Sequence, residues 1–269
     1  MKQFIVDAFT DTLFKGNQAA VCVMDKWIPD ELMQNIAAEN RFSETAFTVK
    51  EGRIYHLRWF TPGGEIDFCG HATLGTSYVL LTFYEKEAEE IDFKTQVGIL
   101  KVQRDGDTFV MNFPAYHCQP VAVTDDMKEA IGADITEAYL DRDLLLVLQD
   151  ANTVINLKPD QSKVKNLDGL LVAVTAKGND CDCVSRVFAP RVGVEEDPVT
   201  GSTHCMITPY WCKKLGKNHL SCFQASARTG KLYTGIDGER VTIAGKAVLY
   251  SVGEILPEGI NSSLPNANG

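Results

Sequence analysis

Residues 58–73 read RWFTPGGEIDFCGHAT, and residues 186–204 read RVFAPRVGVEEDPVTGSTH. Both stretches begin Arg-x-Phe, continue through a small residue to proline, and close on a glycine followed by polar and small residues. Pro62 and Gly70 are 8 residues apart, Pro190 and Gly201 are 11 apart, and the matched positions are separated by 128 to 131 residues, nearly half of this 269-residue chain. Ordered self-similarity at that distance predicts a duplicated domain. The expected division is 1–116 and 117–256, with the polar segment 257–269 as a loose tail.

Aligning the copies pairs Cys69 with Thr200, Gly70 with Gly201 and His71 with Ser202. Each glycine stands where extended chain is expected to give way to a helix. The exposed N–H groups and the dipole of a helix start favour an anion. Two related halves facing one another would aim two such starts into one cleft, which suits a small carboxylate without basic side chains. The flanking elements fit a strand-rich α+β chain. Apolar runs at 3–9, 19–24, 45–50 and 54–60 read as strands, and 98–113 reads as two strands about Asp105-Gly106-Asp107. Further strands are expected at 144–149, 169–177, 183–190 and 247–255. Helices are expected at 29–40, from Gly70 through 84, at 125–133, and near Gly201 with Pro209 bending it. Regular strand–helix alternation is missing, so a doubly wound sheet is disfavoured.

The bulk numbers narrow the partners. A hydrophobic content of 45% supplies a core, and no apolar run reaches the length of a membrane span. Net charge is −10 and basic residues form no run, so a nucleic-acid partner is not expected. Asp7, Asp11 and Lys15 interrupt the N-terminal stretch, which therefore lacks signal-peptide character, and a soluble cytoplasmic protein is expected. Eight cysteines without a secretory signal read as free thiols, and Cys181 with Cys183 lacks a second ligand cluster, so no metal site is expected there.

Four motifs, GNQAAVCV (16–23), NRFSETAF (40–47), RWFTPGGEIDFCGHATLG (58–75) and SRVFAPRVGVEEDPVTGSTHC (185–205), occur in the order of the PhzF-type phenazine-biosynthesis isomerase family. The chain resembles that family over most of residues 1–250. The resemblance implies the diaminopimelate epimerase-like fold: two similar halves, each a curled, mostly antiparallel sheet around a central helix. It implies a cleft between them, no metal or organic cofactor, and commonly a homodimer. It also carries the general acid/base role to Glu44 and places His71, Asp197, Gly201 and Ser202 in the site, with Asn17, Ser43 and Gly70 expected beside the substrate. Gln18 replaces the family's more usual proline, and QASARTG (224–230) matches the family's glycine-rich segment only in part.

Residue chemistry leaves alternatives beside this reading. By type alone, Glu44 is a solvated strand-edge glutamate. A carboxylate drawn into a closed apolar cleft would instead gain proton affinity and could exchange a proton with carbon. A helix start disfavours imidazolium, so His71 is expected to be neutral and to orient or relay a proton. Asp197 and Ser202 also suit turn and cap chemistry. Ser202 and His204, two apart on a helix, cannot form a hydrolase dyad. Two-thiol epimerisation is disfavoured because Thr200 stands opposite Cys69. The expectation is a cofactor-independent isomerase of a small carboxylate. The alternatives are a non-catalytic binding protein, an epimerase or racemase, and a thiol or metal enzyme built on Cys69 and His71.

Overall fold

The computed structural model describes residues 1–256, so the tail expected from 257 onward lies outside the described residues. The first half of the chain runs β1 (Lys2–Ala8), β2 (Asn17–Met24), α1 (Asp30–Asn40), β3 (Glu44–Glu51), β4 (Ile54–Thr61), β5 (Gly64–Ile66), α2 (Gly70–Val79), β6 (Glu90–Thr95), β7 (Gly98–Asp105) and β8 (Thr108–Pro114). It continues through β9 (Gln119–Val121), α3 (Asp125–Ile131), β10 (Ile135–Leu140), β11 (Leu144–Leu148), α4 (Ala151–Ile155), α5 (Gln161–Val164), β12 (Val172–Lys177), β13 (Cys183–Ala189), β14 (Val194–Asp197), α6 (His204–Leu215), β15 (His219–Gln224), β16 (Gly230–Asp237), β17 (Arg240–Gly245) and β18 (Ala247–Glu254).

The strand pairings repeat. Antiparallel β1–β2, parallel β2–β3, antiparallel β3–β4, β4 flanked by antiparallel β5 and parallel β6, and the meander β6–β7–β8 make one series. Antiparallel β10–β11, parallel β11–β12, antiparallel β12–β13, β13 flanked by antiparallel β14 and parallel β15, and the meander β15–β16–β17 make the other. Antiparallel pairing of β8 with β17 joins the two series. At the far edges β18 adds to β1 and β9 adds to β10. This is an α+β arrangement with mixed sheets and few helices.

The Arg-x-Phe motif has a physical cause that recurs with the topology. Residues two apart on a strand share a face, so Arg58 stacks on Phe60 and Arg186 on Phe188, each at 5.2 Å from guanidinium carbon to ring centroid. Each guanidinium then forks onto a glutamate of the next strand. Arg58 donates twice to Glu65 at 2.7 Å, and Arg186 donates to Glu196 at 2.7 and 2.8 Å. Bidentate pairs of this kind hold β4 to β5 and β13 to β14 just before each helix opening.

Helix α2 is the buried axis of the first half. His71 through Ser77 are all buried, although four of those seven are polar. The helix tolerates this because Thr73, Thr76 and Ser77 donate their hydroxyls to the carbonyls of Cys69, Ala72 and Thr73, four residues back. Gly75 lets β1 and β2 approach, since a Cβ there would stand 3.6 Å from that of Ala19 and 3.7 Å from that of Val6. A π-helical turn over Leu80–Tyr84 follows α2, where the sequence predicts continued helix.

Helix α6 plays the equivalent part but starts later than expected. Gly201, Ser202 and Thr203 form turns whose carbonyls accept from His204, Cys205 and Met206, and regular helix begins at His204. Pro209 sits inside the helix without ending it. A proline leaves the carbonyl four residues earlier without its helical donor, and here that carbonyl, of Cys205, accepts from the N–H of Tyr116 at 3.1 Å. Helix α3 forms as expected, capped by Thr124 and closed by Gly132 in the left-handed region. β14, β15 and β16 were not anticipated, whereas β17 and β18 form where RVTIAGKAVLYSVGEI (240–255) resembles the family's closing strands. β14 is four residues, three of them acidic, with no apolar alternation to mark it. No helix among the described residues is long and apolar enough to cross a membrane.

Candidate active site

The two openings meet in a cleft of about 670 Å³ lined by residues of both halves, among them Ser43, Glu44, Cys69, Gly70, His71, Asp197, Thr200, Gly201 and Ser202. Gly70 and Gly201 face one another so closely that a Cβ on Gly70 would lie 3.8 Å from the Gly201 Cα, and the reverse distance is 3.9 Å. The absence of side chains at these two points leaves the backbone of both starts open to a ligand.

Glu44 enters as the first residue of β3, and His71 as the second residue of α2. Oε2 of Glu44 and Nε2 of His71 approach to 3.0 Å. The approach is an ion-pair contact and not an in-line hydrogen bond, and neither atom has any other partner among the described residues. Buried polar atoms are ordinarily satisfied. Both atoms are buried, on residues that line the cleft, so this unsatisfied carboxylate–imidazole pair stands out as the candidate proton-handling group of the site.

On its other edge, Nδ1 of His71 lies 3.5 Å from the Cys69 sulfur and 3.2 Å from Nδ2 of Asn17. The Asn17 amide reaches across the halves, donating to Oδ1 of Asp197 at 2.7 Å and to the Val199 carbonyl at 3.0 Å. Those two bonds account for both amide hydrogens, so an Nδ1–H of His71 is left to the sulfur. The second oxygen of Asp197 accepts from the Thr200 hydroxyl at 2.5 Å. Asn17, Asp197 and Thr200 therefore form one hydrogen-bonded set, and the His71–Glu44 pair packs against its Asn17 end.

The electrostatics correct the expectation of a neutral His71. Burial alone would depress the imidazole, but the facing Cys69 sulfur and the Glu44 carboxylate outweigh it, and His71 is raised well above its ordinary value. Burial also pushes the Cys69 thiol up to about 11. A neutral thiol exerts no ionic pull, so Glu44 is the partner that keeps the imidazolium. Asp197 is raised to about 6, first by burial, with Glu44 adding to the rise and His71, Thr200 and Asn17 opposing it. His204 behaves in the opposite way. Burial lowers it to about 4, and its Nδ1 bonds the Thr200 carbonyl at 2.8 Å, so it is a neutral brace for the second opening.

Ser43 lines the cleft beside Glu44, and Ser202 lines it on the opposite wall. Four contributors were not singled out by sequence reasoning. Buried Gln224 bonds the Thr200 N–H, the Asp197 carbonyl and the Thr200 hydroxyl, holding the 197–200 loop in shape. Ser226 donates to the Pro198 carbonyl, and Arg228 to the Gly16 carbonyl and to Asp7. The segment 224–230 is thus a brace for both Asn17 and Asp197. The fourth is Arg142, a cation on the cleft wall whose Nη2 donates to the Ser202 hydroxyl at 2.9 Å. The expectation of a cleft without basic side chains is corrected by it.

Glu44, Cys69 and His71 offer three donor atoms within 4.8 Å of one another, the one group among the described residues that could hold a metal ion. A soft ion there would have to displace the proton that burial keeps on Cys69. Cys181 and Cys183 join no such group, and the Cys181 thiol donates to the Cys183 carbonyl.

Comparison with known proteins agrees with this geometry. The family described as phenazine biosynthesis-like protein, PhzC–PhzF, matches residues 6–253. The chain belongs to that family. An uncharacterized isomerase of Pseudomonas aeruginosa is 48% identical over 252 residues, covering 94% of this chain and 97% of the relative. The crystal structure of a PhzF-family protein of Enterococcus faecalis superposes with a TM-score of 0.94 at 47% identity, covering 95% and 98% of the two chains. A hydroxyproline epimerase of Agrobacterium vitis, solved with trans-4-hydroxy-L-proline bound, has a TM-score of 0.61 at 12% identity, covering 95% and 90%. At that identity the likeness concerns the fold, which is the epimerase-like α+β fold expected from the resemblance. Membership in the PhzF family makes the chain an isomerase by class.

Proposed function

We propose that this PhzF-family protein is a cofactor-independent isomerase that moves a proton at a carbon of a small carboxylate, with Glu44 as the general acid/base. The observation that carries the reading is the free pair of atoms, Glu44 Oε2 and His71 Nε2, held 3.0 Å apart on a wall of the cleft without other partners. Glu44 as carboxylate takes the proton from carbon. The His71 imidazolium stabilises the charge that develops on the substrate and helps return the proton at the new position. Asn17 packs against the Nδ1 edge of His71, and Asp197 sets the charge behind it. Ser43, Gly70, Gly201 and Ser202 line the place of the carboxylate, where the N–H groups of the two openings favour negative charge.

The thiol alternative is opposed by the Cys69 thiol, which stays protonated at neutral pH, and by Thr200, which cannot act as the second base of an epimerase. We further propose that residues 1–116 and 117–256 are the duplicated halves, that the protein acts in the cytoplasm, and that it works as a homodimer. Incubating the protein in deuterated water with a library of small unsaturated and amino carboxylic acids tests the reading. One or more acids should gain about one mass unit while isomerising. Tight binding of an acid with no label at any carbon would instead identify a binding protein.

A further inference from the structure

Arg142 belongs to the β10–β11 turn, in the sequence Leu-Asp-Arg-Asp (140–143), where a charged triplet would ordinarily be a solvated loop tip. Its surroundings are those of a fixed cation. Nε and Nη2 fork onto Asp143 at 3.0 and 2.5 Å, and Asp143 is fully buried. Asp143 in turn accepts from the Thr203 hydroxyl at 2.7 Å, tying the turn to the second opening. The guanidinium carbon lies 5.2 Å from the Tyr116 ring centroid. The N–H of Tyr116 is bonded by the Cys205 carbonyl that Pro209 leaves free. Nη2 also donates to Ser202, whereas Nη1 donates to no group among the described residues. The fork, the ring and the serine thus hold the guanidinium from three sides at the cleft wall.

We propose that Arg142 is a substrate-positioning residue that binds the carboxylate of the substrate jointly with Ser202, and that it thereby sets which end of the molecule faces Glu44. The inference rests on the reading of the cleft as the site of a small acid. The asymmetry of the two openings supports it. The first opening carries the Glu44 and His71 pair, and the second carries an arginine whose Nη1, with its two hydrogens, is left to meet a carboxylate. An acid bound with its carboxylate against Ser202 and Arg142 presents its neighbouring carbons to Glu44. Arg142 also supplies a full positive charge, where backbone N–H groups alone supply partial ones.

The test uses the whole protein and measures binding by calorimetry for a panel of acids with their neutral amides: benzoate and benzamide, L-proline and L-prolinamide, crotonate and crotonamide, succinate and succinamide. Wild type should bind at least one acid in preference to its amide. Arg142→Gln should weaken that acid by roughly 10- to 100-fold while leaving the amide unchanged, and Arg142→Lys should recover part of the loss. Removing the cation strands the buried Asp143 charge, so Arg142→Gln combined with Asp143→Asn is measured beside it. That pair keeps an acceptor for Thr203 and should fold like wild type while still lacking acid preference. Unchanged acid affinity in both Arg142 variants overturns the proposal, as does a panel in which wild type prefers no acid. Glu44→Gln separates this outcome from the proton-transfer reading. It should retain acid preference, and its deuterium exchange reports on Glu44 alone.

Discussion

At the first opening, Cys69, Gly70 and His71 lead directly into α2. At the second, Thr200, Gly201 and Ser202 pass through turns before α6 begins. The strands before them pair in the same series, and the same arginine fork precedes each. The difference lies in what reaches each start from elsewhere. The first receives Glu44 from β3, which keeps His71 charged. The second receives Arg142 from the β10–β11 turn and Gln224 from β15. On the proposed reading, a framework whose strand pairings repeat carries a proton-handling wall at one opening and an anion-holding wall at the other, a division that a two-thiol site with matched bases would not need.

Substitutions at the two walls should differ most at Glu44. Replacing Glu44 with Gln should lower isomerisation about 10³-fold, within the ordinary range for removing a general acid/base, and Glu44→Asp should recover only part of it. Replacing His71 with Asn should cost about 10²-fold in kcat, with KM for an acid substrate changed far less. Comparable losses in KM alone would move His71 to the binding wall.

The pH dependence follows from Asp197. Its carboxyl is raised to about 6, so it is ionised above that pH and becomes neutral as pH falls through it. The anion opposes the positive charge of His71 across the site, so losing it weakens support for the imidazolium. Activity should therefore fall as pH drops through about 6, by about half at that pH and approaching ten-fold per unit only well below it, and Asp197→Asn should abolish that inflection. An unchanged acid limb in Asp197→Asn would assign the titration to another group. The smallest effect is expected at Cys69. Cys69→Ala should keep activity within about three-fold, because a thiol held near 11 is not a base at neutral pH. Sensitivity of the wild type to iodoacetamide that vanishes in this variant, together with loss of activity, would restore the thiol alternative.

The repeat was legible in the sequence because its marks are local. Arg58 and Phe60, like Arg186 and Phe188, are spaced by the two-residue period of a strand, and each opening glycine follows at a short distance. Other features were hidden because they depend on contacts between distant segments. His71 was expected to be neutral on the strength of its own helix start, and the charge of Glu44 arrives from a strand 27 residues earlier. Glu44 itself was singled out through the family resemblance, since nothing in SET distinguishes it from a solvated glutamate. Arg142 and Gln224 were invisible for the same reason. One lies in a charged turn and the other at the end of a strand, and only packing brings them to the second opening. The late start of α6 reflects three residues whose turn geometry, set by Gln224 and the Thr200 carbonyl bond to His204, competes with helix.

The central claim is that a single carboxylate carries the proton. The most direct measurement follows deuterium from solvent into the reacting carbon of a turned-over acid, by mass spectrometry, in wild type and in Glu44→Gln under conditions where both bind that acid. The account predicts label in both substrate and product with wild type and none above background with Glu44→Gln. Label entering at the wild-type rate in Glu44→Gln would contradict it.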